Sequence, residues 1–499
     1  MHQPSAGLEF CWDNRFAKRM PGFYVFCEPS IVPDPVLLQM NSSLAKELGL
    51  NPEISDPQLA ARIFSGNELP AGAQPLAQAY AGHQFGGFSP QLGDGRALLI
   101  GELIDQQGRH RDIVFKGSGR TPFSRGGDGK ATVGAVLREY LIGEAMHALG
   151  IPTTRALAAV GTGESVRRER SLPGAILTRV AASHIRVGTF EFFAARRQID
   201  HVRELADFVI ERHDPDLMGQ DNRYLLLLEA VVERQAALLA QWALVGFIHG
   251  VMNTDNMTVS GETIDYGPCA FMEAYDPQAV FSSIDRHGRY AFANQPIIAQ
   301  WNLTRFAETL LPLVDESAEQ GEAAVTEVLN EFMPRYQTLW LSGARAKLGL
   351  TAASTDCNQD NQLAEGWLGL LQQHAVDFTL GWRRLADAAE GNQERLASLF
   401  PSADVIQPWL TRWQQRLAQQ QTSATETASA IRLANPIYIP RNHRVEEALT
   451  AATATGDLTV FRRLLDVITN PFDERPELEA YSQPAPREFT ACYKTFCGT

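Results

Sequence analysis

The sequence predicts an α+β fold in which a β-rich part with one long helix precedes a larger helical part. Short apolar runs bounded by polar turns dominate residues 76 to 181, which is typical of paired strands. From residue 190 onwards apolar residues recur every three or four positions, which is typical of helices. The chain has 499 residues, more than one hydrophobic core usually takes, so we expect two or three lobes.

Composition excludes several classes of function. The formal net charge is −14, whereas nucleic-acid and membrane-surface binding both need a basic face, so neither partner is expected. The sequence has no secretory signal pattern and no run near the roughly 18 apolar residues of a membrane span. The six cysteines are scattered without metal-binding spacing, which fits a reducing compartment. We therefore expect a cytoplasmic protein, with a monomer as the working expectation for its oligomeric state.

The β-rich part contains two glycine-rich loops, residues 80 to 96 and 117 to 130. Five strands are predicted from short apolar runs that are bounded by polar turns. They cover residues 23 to 26, 97 to 104, 112 to 116, 155 to 160 and 175 to 180. A helix is predicted over residues 132 to 149 and another over 35 to 48. Exposed backbone N–H groups and cations in the second loop suit a phosphate, although a flexible surface loop is the alternative.

The helical part begins after residue 181. Helices are predicted over residues 190 to 197, 202 to 212, 224 to 248, most of 318 to 420, and two within 444 to 468. Residues 422 to 429 are interpreted as a low-complexity connector. The expected domains are an extension (1–75), a β-rich small lobe (76–181), a helical large lobe (182–317), a helical C-terminal extension (318–470) and an irregular tail (471–499).

Residues 244 to 268 hold the densest group of polar side chains. A predicted hairpin, with strands at 257 to 259 and 263 to 264, would bring Asn256 and Asp265 together. Amide and carboxylate oxygens suit Mg²⁺, which keeps waters and phosphate oxygens as its other ligands. The alternative is that asparagine, aspartate and glycine only form turns here.

Four features in order predict a protein-kinase-like bilobal fold. Lys116 ends a strand and can reach nucleotide phosphates, Glu139 on the next helix can pair with it, and Asn256 and Asp265 can hold the metal. Two departures stand out: no G-x-G-x-x-G loop joins the first strands, and Val251 occupies the position of the usual catalytic aspartate. Valine cannot accept a proton. The protein is therefore either an inactive kinase or an enzyme with a different reaction.

Longer motifs point to a family. They read YAGHQFGGFSPQLGDGRA from residue 80, FKGSGRTPFSR from 115, HGVMNTDNM from 249 and DYGP from 265. The chain closely resembles the selenoprotein O (YdiU) family of protein adenylyltransferases over nearly its whole length, as a cysteine-containing bacterial member. The resemblance implies a kinase-like fold that binds ATP in a flipped orientation. It also implies transfer of AMP to Ser, Thr or Tyr hydroxyls of protein substrates, with release of pyrophosphate.

The resemblance also assigns residues. Asn256 and Asp265 match the ligands of Mg²⁺ or Mn²⁺, and Asp255 matches the proton acceptor, although it could instead orient the loop or the waters of the metal. The residues assigned to nucleotide binding are Gly93, Gly95, Arg96, Lys116, Asp128, Gly129, Glu139, Arg179 and Arg186. The role of Glu139 among them is to hold Lys116. His249 is interpreted as structural, and His83 has no assigned role.

A disulfide that links the cysteine tail to the segment after Asp265 is a further implication of the resemblance. Cys497 could pair with Cys269 or with Cys492 and so control activity by redox state, or remain a free thiol. Three alternatives for the reaction stay open at this stage. They are a kinase that transfers the γ-phosphate, an inactive nucleotide-binding scaffold, and UMP transfer from UTP, because the sequence does not define the base pocket.

Overall fold

The structure is a computed structural model that describes residues 10–51, 56–351 and 357–496. Within them the strands, β1 to β12 in chain order, are Tyr24–Phe26, Val36–Met40, Leu76–Gln78, Gly82–Gln84, Gly87–Ser89, Ala97–Ile104, His110–Lys116, Ala131–Thr132, Arg155–Arg167, Ser171–Ala181, Phe247–Ile248 and Ala270–Phe271. The α-helices of the same residues, α1 to α20, are Arg15–Arg19, Ser42–Glu47, Pro57–Ser65, Val133–Ala148, Val187–Ala194, Ile199–His213, Arg223–Val245, Gln295–Val314, Ala318–Asn330, Phe332–Lys347, Cys357–Gln373, Phe378–Arg383, Leu385–Ala389, Glu394–Ala397, Gln407–Leu417, Ala424–Ala434, Asn442–Thr455, Thr459–Ile468, Glu479–Ser482 and Arg487–Cys492. None of these helices is long and apolar enough to cross a membrane.

The main sheet has the order β1-β3-β6-β7-β10-β9-β2, with β8 paired to β10, and its pairings are antiparallel. Its central strands are buried on both faces. Leu99 belongs to the core that packs against α4, whereas Leu98 and Ile100 belong to the core under α2 and α3. Burial on both sides explains why β6 reads as a continuous apolar run instead of an alternating pattern.

Helix α4 crosses one face of the sheet and positions the side chains that face the cavity. Thr132 caps its first turn by accepting a hydrogen bond from the backbone N–H of Ala135 at 3.3 Å. The helix is buried along most of its length because β9 and β10 lie on one side of it and α17 and α18 on the other. The C-terminal helices thus complete the packing around α4. A separate core under α10 to α16 contains four buried tryptophans.

Most of the predicted elements are present. The strand predicted over 97 to 104 and the strand pair 155–160 with 175–180 are confirmed, as is the helix over 132 to 149. The mixed composition, with an antiparallel sheet and many helices, is compatible with the predicted bilobal α+β fold. The predicted extension contributes β1 and β2, which form the two ends of the main sheet.

Outside the loop that carries Asn256 and Asp265, three predictions of secondary structure were wrong. Residues 35 to 48 are not one helix, because β2 pairs with β9 before Asn41 caps the short α2. Residues 422 to 429 are not a connector but the start of α16, where Ser423 and Glu426 form a capping box. The tail is only partly irregular, since it contains α19 and α20.

Candidate active site

A lysine–glutamate ion pair joins the sheet to α4. Lys116 is the last residue of β7 and lies opposite Leu177 of β10. Its Nζ lies 2.6 Å from Oε2 of Glu139, which α4 carries in its second turn. Both side chains are about nine-tenths buried, and each has a second charged partner, since Lys116 also contacts Asp265 and Glu139 also contacts Arg179. The predicted ion pair is therefore present.

Three cations converge on Asp265. Lys116 Nζ and Arg179 NH1 each lie 2.6 Å from Oδ1, and Arg186 NH1 lies 2.6 Å from Oδ2. Burial raises the pKa of Asp265, but the three neighbouring charges outweigh it and hold this pKa well below its usual range. Asp265 itself has a left-handed backbone, with φ 63°. This carboxylate thus occupies the centre of a cluster of cations.

Arg186 is held by several groups at once. It immediately precedes α5, its NH1 also donates to the backbone carbonyl of Asp255 at 2.6 Å, and its guanidinium lies 4.8 Å from the ring centre of Tyr80. Contact with an aromatic face restricts a guanidinium without neutralising it. Arg186 is therefore oriented before any ligand arrives.

Asp255 and Asn256 lie in a single 3-10 turn, Thr254–Asn256. Asn256 Nδ2 donates to the carbonyl of Val251 at 3.0 Å, which directs its amide within the loop. Oδ2 of Asp255 accepts from Gln84 Nε2 at 3.2 Å, whereas its buried Oδ1 has no hydrogen-bond partner among the described residues. Burial raises the pKa of Asp255 to about 6. A buried oxygen without a donor is a ready acceptor for a proton.

The prediction of a hairpin between Asn256 and Asp265 was wrong. The two segments do not form paired strands with each other. Instead Thr258 bridges to Arg186 and Thr263 bridges to Thr153, so each is anchored to a different neighbour. The loop that carries Asp265 is therefore positioned by the rest of the fold and not by a local hairpin.

All the predicted site residues line one cavity of about 1430 Å³. Gly93 and Gly129 allow the glycine-rich loops to fold tightly there: with φ of 86° and 69°, a Cβ would lie 2.4 Å from Phe123 and 2.0 Å from the carbonyl oxygen of Gly119. Asp128 faces Arg168, whose NH1 lies 2.7 Å from its Oδ2. Asp128 thus fixes a cation at the cavity edge.

Several residues of the site were missed at the sequence level. The first glycine-rich loop contains the β4–β5 hairpin. Its backbone contacts the turn Thr254–Asn256, because the backbone N–H of His83 donates to Thr254 Oγ1 at 2.7 Å. His83 Nδ1 also lies 2.5 Å from Glu191 Oε1 on α5. Phe85 and Gly86 both have positive φ, the geometry of a tight hairpin turn. Asn-Gly and Gly-Gly are the usual sequences of such a turn, so the Phe85-Gly86 pair did not predict one.

Two other sequence predictions can be compared with the structure. His249 is buried and its Nε2 lies 2.9 Å from the carbonyl of Ile264, which supports the structural interpretation. Among the described cysteines, Cys269 is buried, Cys492 is exposed, and neither forms a disulfide with another described cysteine. Cys497 lies outside the described residues, so the predicted bridge stays a prediction.

The oxygen donors in the cavity fit a hard divalent cation in part. Among the described residues no group of three or more His, Cys, Asp or Glu side chains is arranged to hold a metal. The unpartnered oxygen of Asp255, the amide of Asn256 and the carboxylate of Asp265 nonetheless line the same cavity. Mg²⁺ commonly takes one or two protein oxygens and completes its shell with water and phosphate, so this donor set suits it.

A mixed α/β fold with this cationic cavity, an ion-paired lysine and a carboxylate-rich loop is typical of enzymes that transfer groups from nucleotides. A family model described as "Protein adenylyltransferase SelO" matches residues 7–469. The chain therefore belongs to the SelO family, whose members are protein nucleotidyltransferases.

Curated relatives agree with this family over their full lengths. A protein named "Protein nucleotidyltransferase YdiU" from Cereibacter sphaeroides is 59% identical over 493 residues, which cover 99% of this chain and 100% of the relative. One of the same name from Chromobacterium violaceum is 58% identical, with 96% and 100% covered. Another from Rhizobium leguminosarum bv. trifolii is 55% identical, with 99% and 98% covered.

Proposed function

We propose that this protein transfers AMP from ATP to hydroxyl side chains of other proteins and releases pyrophosphate. One observation carries the proposal: Lys116, Arg179 and Arg186 converge in the cavity that also contains the unpartnered Oδ1 of Asp255. The cations can bind phosphate oxygens, and the carboxylate oxygen can accept a proton. Nucleotidyl transfer to a hydroxyl needs both at one place.

We propose that ATP binds with its γ-phosphate toward the glycine-rich loops and its α-phosphate toward Asp255. Further cations line the cavity from the loop after β7 and from the turn between β9 and β10, namely Arg125, Lys130, Arg168 and Arg170. A triphosphate tail needs several such partners. The remaining proposed nucleotide contacts are Gly93, Gly95, Arg96, Asp128 and Gly129.

In the transfer step the acceptor hydroxyl oxygen attacks the α-phosphorus. A P–O bond to that oxygen forms, the bond to the pyrophosphate oxygen breaks, and the hydroxyl proton passes to Oδ1 of Asp255. Arg186 is already oriented by Tyr80 and by the carbonyl of Asp255, so it can stabilise developing charge without rearranging. Val251, where a kinase keeps its aspartate, cannot take the proton, which favours α- over γ-transfer.

Asn256 and Asp265 are the residues that would hold Mg²⁺ or Mn²⁺. A bound divalent cation would neutralise charge on the phosphates.

We also propose that residues 76–181 and 182–317 are the two lobes of a protein-kinase-like fold. The order of sheet, α4 and helical part supports this arrangement, as does the Lys116–Glu139 pair. The role of the 318–470 extension would then be to buttress α4 through α17 and α18.

The test uses ATP labelled at either the α- or the γ-phosphate. The full chain is incubated with each label and Mg²⁺ or Mn²⁺, with a mixture of proteins as acceptors, and with α-labelled UTP in parallel. We expect label on protein from the α-position and none from the γ-position. Asp255→Asn should lose most of the transfer while still binding ATP, whereas Asp457→Asn, an exposed carboxylate on the loop before α18, should behave like wild type.

Each other outcome has a definite meaning. Protein labelling only from γ-labelled ATP would identify a kinase, and ATP binding with no labelling at all would identify an inactive scaffold; either result refutes AMP transfer. Labelling from UTP in preference to ATP would move the proposal to UMP. Full activity of Asp255→Asn would leave nucleotidyl transfer intact and remove Asp255 from its role.

A further inference from the structure

Behind Arg179 lies a buried chain of hydrogen bonds that the proposed reaction does not use. The terminal NH1 of Arg179 faces the cavity, where it contacts Asp265 and Glu139, but its Nε lies 3.2 Å from Nε2 of His184. His184 Nδ1 lies 3.0 Å from Oδ2 of Asp112. The three residues that form these hydrogen bonds, Arg179, His184 and Asp112, are each 2% exposed or less.

The direction of each hydrogen bond is fixed by chemistry. An arginine Nε carries a hydrogen and can only donate, so Nε2 of His184 must accept and the ring hydrogen must sit on Nδ1. Nδ1–H then donates to Oδ2 of Asp112. Burial raises the pKa of Asp112, but Arg212 and the hydrogen bonds from His184 outweigh it and lower this pKa to about 2, so the acceptor is a carboxylate. Burial lowers the pKa of His184 to about 4, so the imidazole is neutral near neutral pH, as this arrangement requires.

Asp112 is itself held from two sides. Its Oδ1 lies 2.6 Å from NH2 of Arg212 on α6, and its Oδ2 also accepts the backbone N–H of His184 at 2.9 Å. Arg212 is anchored in turn by Glu102 of β6. The chain therefore runs from α6 through β7 to the segment after β10, and ends on the guanidinium that faces the cavity.

We infer that His184 is a positioning residue that fixes the plane of the Arg179 guanidinium for binding a nucleotide phosphate. An arginine side chain has several rotatable bonds, and an anchor at Nε removes most of that freedom while the NH1 end stays in the cavity. This inference rests on the proposed function, since it concerns how Arg179 meets the nucleotide. Nothing in the catalytic step passes through His184 itself.

Two substitutions of His184 test the contacts of its two ring nitrogens separately. In His184→Gln the amide oxygen can occupy the place of Nε2 and accept from Arg179. In His184→Asn the amide nitrogen can occupy the place of Nδ1 and donate to Asp112, but nothing reaches Arg179. We expect the KM for ATP to rise roughly tenfold or more in His184→Asn, as for loss of a hydrogen bond to a charged group. His184→Gln should stay closer to wild type.

The matched control is His213→Gln. His213 is a neighbouring neutral histidine whose Nε2 lies 2.9 Å from Ser183 Oγ and which has no part in the chain to Arg179. It should leave the KM for ATP unchanged. Thermal unfolding of each variant reports on folding separately from the KM. If His184→Asn is too unstable to assay, ATP affinity is measured by calorimetry at low temperature for His184→Gln and for His184→Phe, which lacks both contacts.

A double variant makes the test specific. Arg179→Lys removes the Nε donor, so adding His184→Asn in that background should not raise the KM further. Equal KM increases for the Gln and Asn variants, or additive effects in the double variant, would overturn the inference and leave His184 a merely structural residue. If Arg179→Ala itself leaves ATP binding unchanged, the proposed nucleotide role of Arg179 fails instead, whatever the His184 variants do.

Discussion

Replacing Asp265 by asparagine would test whether its carboxylate competes with the nucleotide for the same cations. In the structure Lys116, Arg179 and Arg186 each lie 2.6 Å from a carboxylate oxygen of Asp265. Asp265→Asn keeps the shape of the side chain and removes the charge. Lys116 and Arg179 then keep only Glu139 as a charged partner, at 2.6 and 3.1 Å.

The expected loss of stability in Asp265→Asn follows from the burial of its ion pairs. Breaking a buried ion pair usually costs about 3–5 kcal/mol, because a charge is left without compensation. The Asp265 side chain is 21% exposed and Glu139 remains, so the lower end of that range applies. We therefore expect the free energy of unfolding of the nucleotide-free protein to fall by about 3 kcal/mol, measured by denaturant titration.

Wild type should be the more stable of the two proteins, but Asp265→Asn should bind ATP more tightly in the absence of metal. In EDTA the phosphates can replace the missing carboxylate, so calorimetry should show tighter ATP binding to Asp265→Asn than to wild type. Adding Mg²⁺ should tighten binding to wild type and leave the variant almost unchanged. Asp94→Asn is the control, because Asp94 lines the same cavity but accepts its hydrogen bond from the backbone of Gln78; it should keep the Mg²⁺ response.

Two results would refute this reasoning. Weaker ATP binding to Asp265→Asn in EDTA would mean that the carboxylate does not compete with phosphate. An unchanged Mg²⁺ response in the variant would mean that the metal is held elsewhere.

Three further substitutions give separate tests. A Cβ on Gly82 would lie 2.7 Å from Oδ1 of Asp255, so Gly82→Ala should lower AMP transfer roughly tenfold or more while calorimetric ATP affinity stays constant; equal transfer rates would show that Asp255 can move freely. Arg441→Met leaves two buried carboxylates without their cation and should lower the free energy of unfolding in urea by about 3–5 kcal/mol, against less than about 1 kcal/mol for the more exposed Arg444→Met. Burial lowers the pKa of Lys347 to about 7 from its ordinary 10.5, so between these values the unfolded chain binds more protons and wild-type stability rises with pH. Lys347→Met should therefore be more stable than wild type by about a few kcal/mol below pH 7, with a difference that shrinks toward pH 10, and a pH-independent difference would contradict the shift.

Local patterns predicted the elements that are stabilised locally. The helix over 132 to 149 was predicted to within a residue at each end, because Thr132 caps it and Gly150 follows it. The strand over 97 to 104 has the predicted bounds, since turn residues flank it on both sides. The capping box at the start of α16 has an equally clear sequence pattern, but the abundance of Thr, Ser and Ala in the same segment favoured a connector.

Elements that depend on distant partners could not be predicted in this way. Residues 36–40 form a strand only because β9 lies beside them, more than a hundred residues later. The strands predicted at 257 to 259 and 263 to 264 were expected to pair, yet Thr258 and Thr263 each bridge to a segment from another part of the chain. The hydrogen bond between His184 and Asp112 spans 72 residues, and no periodicity links them. Sequence order therefore indicated which side chains carry charge into the cavity, but not what holds them there.

The cluster around Asp265 explains how three buried cations can lie together in one cavity. Three buried cations without a counter-charge would be costly, and Glu139 supplies only one negative charge to them. Asp265 supplies the second, so its carboxylate takes the part that phosphate oxygens would take when a nucleotide binds. Asp265 is also one of the two residues proposed to hold a divalent cation, which would neutralise this carboxylate while phosphates would neutralise Lys116, Arg179 and Arg186. Metal and nucleotide binding are then expected to be cooperative, each releasing charges that the other neutralises.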